Sequence, residues 1–189
     1  MIKRCNVLIT MEKINEILTL DSNAKIIHPK KGEILQRENE LNSKIFYVKK
    51  GLLRSFTIDE KGKEHIFIFA SAGWLIADIE SQEFNQPTEL FIDCLEKSEV
   101  VVLDRANFML SNLTEIQLKQ NAHLLARRTA VLQRRVIMLM SASAKERYNR
   151  FLESYPELPN RVPQRMIASY LGITPQALST IRRKMVRKN

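Results

Sequence analysis

Seven basic side chains occupy the last 32 residues, and nothing after Glu157 is acidic. Within that tail runs PQRMIASYLGITPQALSTIRRKM, from Pro163 to Met185. The chemistry open to such a set is recognition of a polyanion. Duplex DNA is a dense line of phosphates, and its major groove admits one helix. A pair of short helices joined at Leu171-Gly172-Ile173 would meet that geometry. Ile167, Ala168, Leu171, Ile173, Leu178 and Ile181 then fall where the helices pack on each other. Gly172 supplies a positive φ, Thr174 caps the second helix, and Pro175 fills its first turn, where a missing N–H costs nothing.

At about 100° per residue, Leu178, Ile181 and Met185 share the buried face of the second helix, and Gln176, Thr180, Arg183 and Arg187 point the other way. Gln176 can bond adenine bidentately, and Thr180 can meet a thymine methyl or a phosphate. Thr174, Ser179, Arg182, Arg183, Lys184 and Arg187 suit the phosphate backbone, which positions a protein without reading sequence. An ordinary helical hairpin with a basic solvated face has the same charge; the six packing positions, the glycine and the cap favour the DNA reader.

The rest of the chain must present this motif. Residues 120–189 hold 14 basic and 3 acidic side chains, whereas residues 1–119 hold 16 and 18, so the net charge of +9 belongs to the C-terminal part. That asymmetry suggests a local polyanion partner. Cys5 and Cys94 are isolated, with no CxxC, and suit a reducing cytoplasm. His28, His65 and His123 are scattered, so neither a metal site nor a cofactor is expected. No nucleophile–base arrangement stands out, and no catalytic residue is assigned. No apolar run approaches 18 residues, and the N-terminal MIKRCNVLITMEK lacks a cleavage pattern.

Residues 10–20 read as a short amphipathic helix. From about 25 to 104 the runs EILQRE, KIFYVKK, LLRSFTI, EHIFIFA, LFIDCLE and EVVVLD read as strands. Asp59 to Gly62 forms a hairpin turn between Leu52–Ile58 and Glu64–Ala70. Many short strands in so few residues predict an antiparallel barrel or jelly roll. Asn112 and Glu115 can cap a long helix. On it Leu118, Leu125, Leu132 and Leu139 repeat every seven residues, with Ala122, Thr129 and Val136 four after the first three. Leucine at one seam position and small or β-branched residues at the other favour a two-stranded coiled coil. A symmetric dimer would set two reading helices about 34 Å apart and prefer a near-palindromic site. Ser143 and Glu146 form a capping box for a helix to about Ser154, ended by Pro156 and Pro159.

This combination resembles the Crp/Fnr family of bacterial transcription regulators. KKGEIL (30–35) and IFYVKKGLLRSF (45–56) look like its cyclic-nucleotide-binding β-roll, and VPQRMIASYLGITPQALSTIRRK looks like its DNA-binding signature. The resemblance implies an α+β chain: a roll over 1–111, a dimerisation helix over 112–141, and a winged-helix-like helix-turn-helix over 142–189. The wing is expected to be reduced, since six residues follow Arg183. It also implies a cytoplasmic homodimer that binds promoter DNA and contacts RNA polymerase. Bases would be met by Pro175, Gln176 and Thr180. Members that bind cyclic AMP carry Gly-Glu near the start of a short helix, then Arg-Ser or Arg-Thr. The matching places are read as Gly73-Trp74 and Pro87-Thr88, which lack both charges. Trp74 to Glu96 contains no Lys or Arg and six acidic residues. No tight cyclic-nucleotide binding is therefore expected, because a buried phosphate would lack its counter-charge. Gly73, Trp74, Leu75, Pro87 and Thr88 remain a candidate pocket for an unknown effector, if one exists. Two alternatives are a signalling module whose C-terminal helices meet protein, and a cupin-type enzyme.

Overall fold

The computed structural model describes residues 23–104 and 114–186. The helix expected over 10–20, together with Cys5, Asn112 and Arg187, lies outside the described residues. The chain divides into two compact units, one holding the strands and the other the long helix and all that follows it.

The first unit has strands β1 (Lys25–Ile27), β2 (Ile34–Gln36), β3 (Ile45–Lys50), β4 (Leu52–Ile58), β5 (Glu64–Ser71), β6 (Leu75–Ile76), β7 (Phe91–Cys94) and β8 (Glu99–Leu103), with a short helix α1 (Ile79–Phe84) after β6. They form two four-stranded antiparallel sheets, ordered β1-β8-β3-β6 and β2-β7-β4-β5. Most neighbours are distant in sequence, which makes this the expected jelly roll. Phe46, Val48 and Val100 from one sheet and Leu53, Ala70, Ile92 and Cys94 from the other form one buried cluster. The alternate residues Ile45, Tyr47, Val101 and Leu103 are buried in a second. Strands β3 and β8 thus bury both faces, which is why IFYV and VVVL read as unbroken apolar runs.

Two local devices fix the register. At the β4–β5 turn the Asp59 carboxylate accepts the backbone N–H groups of Lys61 and Lys63, both at 3.0 Å. Between β3 and β4, Gly51 has φ +105°, and a Cβ there would lie 2.2 Å from Ser98 Oγ, so only glycine fits. On β4, Arg54 forms a bidentate pair with Asp93 at 2.8 and 2.9 Å and lies over the Phe56 ring. Burial opposes its charge, but hydrogen bonds to Asp93 and Glu64 outweigh that and hold it protonated.

The second unit has helices α2 (Glu115–Ser141), α3 (Ala144–Ser154), α4 (Gln164–Leu171) and α5 (Pro175–Val186), with a 3-10 turn at Leu158–Asn160. Helix α2 runs unbroken for 27 residues, about 40 Å at the usual rise. Helix α3 opens on the expected capping box: Ser143 Oγ accepts from Glu146 N, and Glu146 Oε2 accepts from Ser143 N at 2.8 Å. Phe151 gathers Tyr148, Tyr155 and Tyr170 within 6.4 Å, which anchors α4 on α3.

Candidate nucleic-acid interface

The helix-turn-helix forms where the sequence puts it. Ile167, Ala168, Leu171 and Leu178 are fully buried, and Ile173 and Ile181 half-buried. Gly172 closes α4 at φ +63°, its N–H bonding Ser169 O and the next N–H, of Ile173, bonding Ala168 O, each at 3.0 Å. That left-handed cap turns the chain sharply into α5. Thr174 then accepts the Ala177 N–H on its hydroxyl at 3.1 Å.

Leu178 roots α5 in the unit, so the opposite face is free. Gln176, Ser179, Arg183 and Lys184 are exposed on or beside it, and Pro175 and Thr174 are exposed at its entry. Thr180 is half-buried, and its hydroxyl donates to Gln176 O at 3.0 Å, which leaves the methyl and the oxygen lone pairs for a partner. Arg182 is half-buried, nearer the flank. Every ionised side chain described on α5 is cationic, so an approaching phosphate meets no repulsion from it.

Along α2 the seam residues Ala122, Leu125, Thr129, Leu132 and Val136 are exposed. The Leu118 side chain lies outside the described residues. Leu139 differs from the other leucines. It is half-buried, and its Cδ2 is 3.6 Å from where a Cβ on Gly172 would stand, so it packs beneath the turn between α4 and α5. Met140, 81% exposed, continues the apolar stripe past Val136. Sequence spacing passed over Met140 because it sits off the seven-residue repeat.

The roll corrects one reading. Gly73 and Trp74 are not at the start of the short helix. They lie in the turn before β6, held to Val48 by paired backbone bonds of 2.8 and 2.9 Å, and Trp74 packs on the core cluster. The helix starts at Ile79 with its cap at Asp78, so the residues at its start are Ala77-Asp78, four positions beyond Gly73-Trp74. The place is therefore not without charge. Asp78 is buried and caps α1, accepting Ser81 N at 3.1 Å, and its other oxygen accepts the N–H groups of Glu89 and Leu90 at 2.9 and 3.1 Å. An aspartate ahead of a first-turn acid is a legible cap signal that sequence reasoning missed. Thr88 is buried too; its hydroxyl donates to Arg37 O at 2.6 Å and accepts Glu40 N at 3.0 Å. Leu75 is half-buried in β6, and Pro87 is exposed.

Among the described residues no group of three His, Cys, Asp or Glu is placed to hold a metal ion, and no helix is long and apolar enough to cross a membrane.

A strand roll of this topology followed by a long helix and a helix-turn-helix defines a two-part architecture. Residues 26–110 match the family model of the cyclic nucleotide-binding domain. The chain as a whole has the Crp/Fnr fold, and the resemblance read in the sequence is borne out. A CooA variant from Carboxydothermus hydrogenoformans superposes with a TM-score of 0.73 at 20% identity, covering 94% of this chain and 84% of that one. FixK2 from Bradyrhizobium japonicum gives 0.67 at 20% identity, covering 87% and 85%. A Crp/Fnr-family transcriptional regulator from Thermus thermophilus gives 0.68 at 18% identity, covering 87% of each chain. No curated protein matches the chain in sequence.

Proposed function

We propose that this chain is a sequence-specific, DNA-binding transcription regulator of Crp/Fnr type that acts as a homodimer in the bacterial cytoplasm. The observation that carries the reading is the outer face of α5, exposed and cationic while Leu178 roots its inner face in the core. The Crp/Fnr fold supports it. The exposed stripe from Leu125 to Met140 supports pairing of two copies through α2, which would bring two readers to a near-palindromic operator. Contact with RNA polymerase belongs to the same proposal, as does the absence of catalysis.

Cyclic AMP is not the effector in this reading. Asp78 already occupies the amides of Ser81, Glu89 and Leu90, and the Thr88 hydroxyl is held between Arg37 and Glu40. A phosphate arriving there would find its donors taken and no cation between Trp74 and Glu96.

Titration of labelled duplex with purified protein tests the proposal. Binding should weaken steeply as salt rises, and genomic footprints should share a two-fold symmetric motif. Indifference to duplex DNA in dilute buffer would leave the signalling-module alternative standing. Calorimetry with cyclic AMP should show no micromolar binding.

A further inference from the structure

The Arg147 guanidinium serves three backbone carbonyls at once. Its Nε donates to Ala142 O at 3.0 Å, Nη1 to Leu171 O at 3.1 Å and Nη2 to Leu139 O at 2.6 Å. These oxygens come from three places: the last turn of α2, the link between α2 and α3, and the last turn of α4, immediately before Gly172. Helix C-termini expose unsatisfied carbonyls at the negative end of the helix dipole, where a cation is favoured. A planar fork of fixed donors meets three separate acceptors only when their mutual geometry is fixed as well.

Two further contacts brace the same junction. Arg135 on α2 lies 4.1 Å over the Tyr170 ring and donates to Tyr170 O at 3.3 Å. Leu139 packs under Gly172, close to Arg147 Nη1. The link itself is short, since α2 ends at Ser141 and the α3 cap is Ser143.

We propose that Arg147 is a positioning residue: it locks the angle between the long helix and the reading helix, and so sets the half-site spacing that the dimer accepts. The inference rests on the dimeric DNA-binding reading above. Arg147 points into the junction and touches no DNA. Its effect reaches binding only through the phase of two readers on one duplex. A locked junction also presents the readers in phase without any effector.

The test compares a two-fold symmetric operator, a single half-site, and operators whose spacer is lengthened or shortened. The wild-type chain should prefer the full operator to the half-site by more than about tenfold, because the second contact is intramolecular. Arg147→Lys keeps the charge but is a point donor without the fork. It should bind the half-site as the wild type does, lose most of the full-operator advantage, and accept altered spacers nearly equally. Unequal loss on full and half-sites separates positioning from general damage, which would weaken both alike. If the wild type itself shows no full-site advantage, the dimer reading fails. If Arg147→Lys keeps both the advantage and the spacing preference, the positioning role fails while the dimer reading stands.

Should Arg147→Lys not fold, spin labels on Ser154→Cys, in a chain carrying Cys5→Ser, give a second readout, since buried Cys94 stays unlabelled. A narrow distance distribution between the two copies without DNA is expected. A broad one overturns the lock.

Discussion

Asp78 accepts the backbone N–H of Glu89 at 2.9 Å, tying the start of helix α1 to the segment that leads into β7. The same carboxylate takes Ser81 N and Leu90 N, so one buried side chain satisfies three amides. Asp78→Ala removes a helix cap and leaves buried donors unpaired, and should cost about 2–4 kcal/mol in denaturant unfolding. Asp78→Asn keeps one oxygen acceptor and should lose less. Neither variant should gain affinity for cyclic AMP, since neither supplies a cation. Gain of binding in Asp78→Ala would show that the carboxylate alone excludes the nucleotide.

Cys94 lies in the roll's core, and burial, only partly offset by its hydrogen bond with Ser98, pushes its thiol up to about 12. A thiol so protonated and enclosed is a poor nucleophile. Native protein carrying Cys5→Ser should therefore resist a disulfide reagent at pH 8 and react stoichiometrically only when unfolded. Fast labelling of the native chain would reopen a redox role.

Much of this was legible because it rests on local pattern. The turn at Gly172, the cap at Thr174 and the Ser143–Glu146 box depend on residues within a few positions of each other. The strands announced themselves by apolar runs, and the β4–β5 hairpin by Asp59 and Gly62. What escaped was tertiary. Arg147 on an amphipathic helix looks like a solvated charge, and its three acceptors are carbonyls, which carry no sequence signature. Leu139 keeps the heptad spacing of its neighbours, yet the folding back of α4 claims it. The Asp78 position was misplaced because Gly73-Trp74 supplied a glycine of the right kind at the wrong distance from the helix.

Glu146 is held below the ordinary glutamate range, chiefly by the Ser143 hydroxyl and then by the Ser143 backbone N–H. A carboxyl whose folded pKa is depressed adds stability that is present at neutral pH and lost as pH falls through the folded pKa. Glu146→Gln should therefore lower the melting temperature most near pH 7. The gap from wild type should close once the medium is more acidic than the ordinary glutamate range. An equal gap at both ends would assign the effect to something other than the ionised cap.

Leu132 and Val136 stand on the exposed stripe of α2, where a helix in isolation has no reason to show large apolar side chains. In the dimer reading they meet their counterparts in a second copy. Leu132→Lys or Val136→Glu should shift the sedimenting species from dimer to monomer at micromolar concentration. Single half-site binding should survive, and preference for a full operator should vanish with the dimer. Unchanged sedimentation for both variants would remove this stripe from the interface.

Gln176 and Arg183 share the outer face of α5, and in the DNA-binding reading proposed above their chemistry divides the work. An amide can donate to and accept from one base edge, and so distinguishes adenine from its competitors. A guanidinium beyond the first turn meets phosphate, which every sequence offers alike. Gln176→Ala should cost about 1–3 kcal/mol on the preferred operator and almost nothing on random duplex, relaxing base preference at one position of each half-site. Arg183→Ala should weaken operator and random duplex together. It should also flatten the plot of log affinity against log salt by about one unit per reader, because one phosphate contact fewer releases one counterion fewer. Competition titrations at four salt concentrations separate the two outcomes. Equal losses on both duplexes for Gln176→Ala would move that residue from reading to clamping, and the sequence discrimination would have to come from Thr180 and the entry at Pro175.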